Sequence, residues 1–219
     1  MKFTIGDDVD SAHCTALKHE FLRCEDAFKE FEHFATQMIM TAQNNHQQVR
    51  IPDVNESRFT AFRTYNGYAR FIHHLYEFLV GALARETTTT GSIEAAVAER
   101  YIMSNVNRIL RGKREAIIKG TAPAWENALS AYPEYAPQEF AAEFRKYRNK
   151  ISGHVKYERS MMSLTEYYDR YHKYMYMLYV NCLGHWGSHV DTDFPDLKEI
   201  TDFSVLIKAA TSASTRAMP

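Results

Sequence analysis

The sequence predicts an all-α protein, an antiparallel bundle of about five helices followed by a short C-terminal extension. Hydrophobic residues recur in steps of three and four over long segments, which is the spacing of one face of an amphipathic helix. Only 9 Gly and 6 Pro interrupt the 219 residues, too few for many short strands joined by tight turns. Hydrophobic residues make up 45% and charged residues 24%, as in an ordinary globular protein.

The first two predicted helices are long, and each carries one apolar stripe. The first stripe consists of Leu17, Phe21, Cys24, Phe28, Phe31, Ala35 and Met38. Asn44-Asn45 is the predicted stop of this helix. After a turn at Pro52, the second stripe consists of Phe59, Phe62, Tyr65, Ala69, Ile72, Tyr76, Leu79 and Leu83. The threonine-rich segment 87–91 is predicted to be a loop, because β-branched residues and glycine fit a helix interior poorly.

The third helix is predicted to begin at Ser92, whose hydroxyl can cap it, and to close at Gly120 and Pro123. A short helix is expected between Trp125 and Pro137. A fourth helix carries Phe140, Phe144, Tyr147 and Ile151 on one face.

The fifth helix begins with a capping box formed by Ser163 and Glu166. Residues 1–190 are therefore predicted to form the helical bundle, and residues 191–219 a C-terminal extension. The last residues of that extension, 211–219, have the composition of a disordered terminus.

The cellular compartment is predicted from the cysteines and from the lack of targeting signals. Cys14, Cys24 and Cys182 are an odd number without a CxxC pair, which argues against a disulfide framework or a zinc knuckle. No apolar run approaches the roughly 18 residues that a membrane span needs. The acidic start of the chain lacks the basic and apolar regions of a secretory signal. We therefore expect a soluble, cytoplasmic protein without a membrane partner.

Basic side chains are concentrated in two segments, although the formal net charge is only −1. The first segment contains Arg145, Lys146, Arg148, Lys150, Lys156 and Arg159. The second contains Arg108, Arg111, Lys113, Arg114 and Lys119. Either segment taken alone is compatible with a solvated helix face, but both become informative if they flank a site.

One short motif suggests chemistry. Arg148 is followed directly by Asn149. Five residues, 149–153, separate Arg148 from His154. This motif, late in an all-helical bundle, resembles the signature of the HEPN family, in which arginine and a polar residue are followed by histidine. The resemblance is close over the motif and architectural over the rest of the chain. It implies a ribonuclease that needs neither a metal nor another cofactor.

The resemblance also implies a division of roles. His154 transfers protons, Arg148 stabilises the charge that develops on phosphorus, and Asn149 orients the phosphate or the histidine. Lys150, Arg145, Lys146 and Lys156 are the predicted RNA-binding residues. Cleavage through the 2′-hydroxyl of the RNA leaves 2′,3′-cyclic phosphate and 5′-hydroxyl ends, so DNA is not a substrate.

A homodimer with a composite active site is the expected assembly. On one continuous helix, Arg148 and His154 lie about 9 Å apart along the axis and are rotated by roughly 120°, so they do not converge on one phosphate. HEPN proteins pair two protomers so that both motifs line one cleft. The apolar side of the fourth helix is a candidate for the self-complementary patch that such a dimer needs.

A toxin or anti-phage defence effector is the role that the resemblance implies, restrained by an antitoxin or another regulatory protein. Some family members carry a modified tyrosine two residues after the histidine. Here that position is Lys156 and the tyrosine is Tyr157, which casts doubt on such regulation.

Alternative interpretations remain open at this stage. His154 can be a core histidine while Arg148 is a rim residue that pairs with an acid. The chain can also be a catalytically silent HEPN-like module that binds nucleotide, RNA or protein, or a helical adaptor in which the motif is accidental. No metal site is expected: His185 and His189 stand among glycines, and the adjacent His73 and His74 are predicted to point in different directions.

Overall fold

The computed structural model describes residues 2–46, 54–151, 162–183 and 202–206. The chain divides into two compact units, residues 1–186 and 187–219. In the second unit the described residues are 202–206, which are helical. The first unit is built from five α-helices and one 3₁₀ turn in its described part, and the predicted all-α fold is confirmed. Among the described residues no strand forms, apart from an isolated bridge between Lys2 and Thr89.

Helices α1 (Asp8–His46) and α2 (Val54–Glu86) form a long antiparallel hairpin. At 1.5 Å per residue, α1 is about 58 Å long, well beyond the usual diameter of a small domain. Two glycines of α2 allow the helices to approach closely. A Cβ at Gly67 would lie 3.0 Å from the backbone nitrogen of Phe31, and one at Gly81 would lie 2.6 Å from Cδ2 of Leu17.

The two apolar stripes are buried over only part of this hairpin. Leu17, Phe21 and Cys24 on α1 are at most 5% exposed. Phe21 also packs on Tyr179, which lies on the last long helix, with 6.0 Å between ring centroids. Toward the C-terminal end of α1 and the N-terminal end of α2, here called the far end of the hairpin, apolar side chains are exposed to solvent. The exposed apolar side chains there are Met38, Ile39 and Met40 on α1 and Phe59, Phe62 and Tyr65 on α2.

Helix α3 spans Ala95–Ile118, and its predicted start is wrong. Its N-cap is Glu94, which has extended backbone and no side-chain capping bond; its carbonyl accepts hydrogen bonds from the backbone N–H groups of Val97 and Ala98. Ser92 lies too early in the chain to serve as this cap. The predicted short helix between residues 125 and 137 is only a 3₁₀ turn over Leu129–Ala131.

Helices α4 (Phe140–Ile151) and α5 (Leu164–Leu183) complete the bundle. The Ser163 half of the predicted capping box of α5 is confirmed, because the hydroxyl of Ser163 accepts a hydrogen bond from the backbone N–H of Glu166 at 3.1 Å. The core between these helices is rich in aromatic rings. Tyr147 of α4 packs on Tyr167 of α5 with 4.1 Å between ring centroids.

Candidate functional site

Helix α4 carries the first part of the predicted motif. Its apolar face is buried as predicted, with Phe140 and Phe144 at 0% exposure. This packing fixes the rotation of the helix, so Arg145, Lys146 and Asn149 lie away from the core. Arg148 lies at the boundary, with 31% of its side chain exposed. Lys150, in the last turn of α4, is half-buried. The remaining predicted site residues, His154 and Lys156, and the regulatory candidate Tyr157 lie outside the described residues.

The guanidinium of Arg148 is held by three side chains. Its Nη2 atom forms an ion pair with Oε1 of Glu77 on α2. Its Nη1 atom donates a hydrogen bond of 2.7 Å to Oδ1 of Asn149. The guanidinium carbon also lies 5.6 Å from the centre of the Tyr76 ring, a cation–π distance. Two helices therefore position this cation.

One donor of this guanidinium has no partner among the described residues. The Nε atom of Arg148 is buried and makes no hydrogen bond there. Buried polar atoms are usually satisfied, so Nε of Arg148 has hydrogen-bonding capacity that the described residues leave unused.

Glu77 is a site residue that the sequence analysis missed. It lies directly after Tyr76 of the apolar stripe on α2, and a lone acid beside a stripe normally indicates a solvated edge. The pairing with Arg148 depends on how α2 and α4 cross, which residue spacing does not encode. The alternative in which Arg148 pairs with an acid is correct in this respect.

Two of the four predicted RNA-binding residues, Arg145 and Lys146, are paired with acids. Nε of Arg145 lies 2.6 Å from Oε1 of Glu99, and Nζ of Lys146 lies 3.0 Å from Oε1 of Glu143. With Arg148 paired to Glu77, these three cations of α4 each contact a carboxylate. In the second basic segment, Nζ of Lys113 lies 2.6 Å from Oε2 of Glu126. The field of these segments is therefore weaker than their lysines and arginines alone predict.

The apolar side of α4 does not supply a dimer interface, contrary to the expectation from sequence. Tyr147 is 7% exposed and Ile151 is 3% exposed, and both belong to the core cluster of the chain itself. A face that is already packed against its own bundle has no area left for a second protomer. Exposed apolar side chains are found instead toward the far end of the α1–α2 hairpin.

Two histidines near this site differ from the prediction. His73 and His74 do not diverge, because both bring a ligand atom close to a carboxylate oxygen of Glu20 on α1. Burial and the neighbouring charges of His74 and Arg148 lower the pKa of His73 below its usual value, and Glu77 opposes this effect. His73 precedes Glu77 by one helical turn, so this cluster adjoins the Arg148 pair.

A shallow surface pocket lies on the other side of α4, between that helix and α5. Its lining includes the carboxylates of Glu139, Glu143 and Glu166 and one cation, Arg170, which pairs with Glu139. Arg170 and Lys146 pair with two of these acids, and Glu166 leaves the pocket with a net negative charge, which repels phosphate. It is therefore a poor site for RNA.

The chain matches no family model, no curated protein and no solved structure. Its function is therefore inferred from its own residues. None of the helices in the described part of the chain is long and apolar enough to span a membrane.

Proposed function

We propose that this chain is a metal-independent endoribonuclease of the HEPN type. The observation that carries the proposal is the placement of Arg148. Glu77, Asn149 and Tyr76 hold its guanidinium at the edge of the bundle, directly before the segment that contains His154. Glu77 and Asn149 each contact one terminal nitrogen of this guanidinium, and the second N–H of each terminal nitrogen is the donor proposed to reach a phosphate oxygen.

The proposed reaction uses the 2′-hydroxyl of the RNA as its nucleophile. This oxygen attacks the adjacent phosphorus, the bond to the 5′-oxygen of the next nucleotide breaks, and His154 carries out the proton transfers. Arg148 stabilises the negative charge on the phosphorane. Since Oδ1 of Asn149 accepts a hydrogen bond from Arg148, the amide nitrogen of Asn149 is the group that faces a phosphate oxygen. Lys150 adds positive charge nearby.

The proposed active form is a homodimer in which both motifs line one cleft. We assign the interface to the hairpin-tip patch, defined as Met38, Ile39, Met40, Phe59 and Phe62. Phe59 is 60% exposed and Phe62 is 62% exposed. Several large apolar side chains exposed together on a protein surface typically mark an interaction site. Tyr65, 39% exposed, lies about one turn further along α2.

The proposed biological role is that of a toxin or anti-phage effector acting on cellular RNA in the cytoplasm. An antitoxin or another regulatory protein is the expected partner. The test is induced expression in a bacterial host, with growth and RNA integrity as readouts. Wild type should arrest growth and degrade RNA, and His154→Ala should do neither at the same protein level. Growth arrest by both proteins would contradict the proposal.

A second candidate function is a catalytically silent HEPN-like module that binds RNA, nucleotide or a protein. It is favoured by the pairing of Arg145, Lys146 and Arg148 with carboxylates. These carboxylates weaken the attraction of the three cations for the phosphate that a nuclease has to bind at this surface. The two candidates differ in their products. Incubation of RNA and of a 2′-deoxy copy with the protein in EDTA separates them. The enzyme cleaves only the RNA and leaves cyclic phosphate ends, whereas the silent module leaves both intact.

A further inference from the structure

Three metal-ligating side chains converge where α1 and α2 pack together. Glu20 on α1 and His73 and His74 on α2 each offer one ligand atom, and these atoms lie within 4.8 Å of one another. Nδ1 of His74 lies 2.7 Å from Oε1 of Glu20. The two imidazole rings are edge to face, with 5.1 Å between their centroids.

The three side chains of this cluster are partly shielded from solvent and lie on helices. The side chains of Glu20 and His74 are each 19% exposed, so a bound ion would be shielded yet accessible. Nδ1 of His73 is buried and has no hydrogen-bond partner among the described residues. A buried ring nitrogen normally has a partner, and a metal ion is one of the partners that imidazole takes. All three ligands are in helix interiors, which limits their motion.

The donor set suits a transition metal, because imidazole nitrogens and a carboxylate oxygen are ligands that zinc takes in proteins. Arg23 pairs with the other oxygen of Glu20, Oε2, at 3.6 Å and leaves Oε1 toward the histidines.

We propose that Glu20, His73 and His74 bind one Zn²⁺ ion between α1 and α2, with water as the fourth ligand. Two imidazole nitrogens and one carboxylate oxygen are a common zinc ligand set with an open position. Zinc ligands lie at about 2.0–2.2 Å from the ion, which puts tetrahedral ligand atoms about 3.4 Å apart. Small side-chain rotations bring atoms within 4.8 Å to that spacing. The bound ion cross-links the hairpin, and this inference does not depend on the proposed ribonuclease activity.

The test is Zn²⁺ binding by the untagged, full-length protein after removal of metal with EDTA and of EDTA by dialysis. Titration against a chromophoric chelator should give one Zn²⁺ per chain at this site. Glu20→Gln, His73→Gln and His74→Gln should each weaken binding by roughly 100-fold or more, since loss of a direct ligand exceeds the 10- to 100-fold effect of outer-shell changes. His33→Gln is the matched control, because His33 is an exposed histidine of α1 bonded to Gln37.

Two further readouts keep the result clear. Zn²⁺ should raise the melting temperature of wild type and of His33→Gln but not of the three ligand variants, because an ion that binds only the folded state stabilises it. Co²⁺ bound to wild type should show the visible absorption of a tetrahedral site. Lack of Zn²⁺ binding by folded wild type, or equal binding in wild type and all three ligand variants, would overturn the proposal. These measurements use no RNA, so their failure is distinct from failure of the ribonuclease.

Discussion

Glu77 on α2 and Arg148 on α4 form an ion pair that fixes the arginine of the predicted motif against a neighbouring helix. The two side chains are 32% and 31% exposed, so either one alone can be hydrated. Partly exposed pairs of this kind contribute only about 0–1 kcal/mol to folding. The pair is therefore better suited to orienting the guanidinium than to holding the bundle together.

Arg148→Ala should reduce kcat by about 10²- to 10³-fold, the usual cost of removing one group that stabilises charge in a transition state. The free energy of unfolding should change by no more than about 1 kcal/mol, because Glu77 remains hydrated. Arg145→Ala is the matched control, since it removes a comparable pair with Glu99 from the same helix. It should raise KM and leave kcat unchanged. Equal kcat losses in the two variants would mean that Arg148 has no special role.

His172 should make the fold sensitive to acid. Burial lowers its pKa from 6.5 to about 4, and its ring stacks on Tyr168 while Nδ1 lies 3.1 Å from the Tyr68 hydroxyl. The unfolded chain thus binds this proton at a higher pH than the folded chain. The free energy of unfolding therefore falls as the pH drops from 6.5 toward about 4, and this contribution is constant below that range.

Urea unfolding near pH 7 and near pH 5 measures this effect. One pKa unit corresponds to about 1.4 kcal/mol. The imidazole of the unfolded chain takes up its proton below about pH 6.5, so about 1.5 pH units of this interval contribute. His172 should therefore account for about 2 kcal/mol of the loss in free energy of unfolding between pH 7 and pH 5. His172→Phe retains an aromatic ring but cannot titrate, and its pH-dependent loss should be smaller by that amount. An identical loss in wild type and His172→Phe would show that other groups cause the acid sensitivity.

Gly67 should be intolerant of alanine, although alanine is the better helix former. An added Cβ lies 3.0 Å from the backbone nitrogen of Phe31, so the hairpin helices have to move apart. Gly112 on α3 is an ideal control because it is exposed and a Cβ there meets nothing within 4 Å. Gly112→Ala should stabilise by about 1 kcal/mol. Gly67→Ala should destabilise by about 1–3 kcal/mol in thermal or urea unfolding, and similar stabilisation in both variants would disprove the close approach.

The double variant Phe59→Ser, Phe62→Ser should dissociate the proposed dimer without unfolding the chain, because both rings are exposed in the protomer. Light scattering coupled to size-exclusion chromatography gives the mass, and RNA cleavage should be lost together with the dimer. Trp125→Ser, which removes an aromatic ring with 79% exposure elsewhere, should change neither. A wild type that cleaves RNA as a monomer, or a double variant that stays dimeric, would rule out this interface.

Residue spacing predicts much of this fold, because steps of three and four define a helix face regardless of what packs on it. The buried parts of α1, α2 and α4 follow from this rule, and the Ser163 cap follows from the capping-box motif. The start of α3 does not, because a carbonyl of Glu94 can begin a helix without any capping side chain. Whether an apolar stripe is covered depends on the lengths of its neighbours, so Phe59 and Phe62 are exposed despite their periodicity.

The candidate site is less predictable from sequence than the fold. Arg148 and Asn149 are adjacent in the chain, and their hydrogen bond follows from proximity. The contact with Glu77 and the convergence of Glu20 with His73 arise from how helices cross in space. Local spacing contains no information on such crossings. His154 lies outside the described residues, so its role stays a prediction.

The proposed ribonuclease is tested by cleavage of total RNA in EDTA, comparing wild type with His154→Ala. Circular dichroism should first establish that both proteins are equally folded. Wild type should cleave and leave 2′,3′-cyclic phosphate ends, while His154→Ala should be at least about 10²-fold slower, the usual contribution of a general acid or base. Equal cleavage by the two proteins, or no cleavage by a folded and dimeric wild type, would contradict the account.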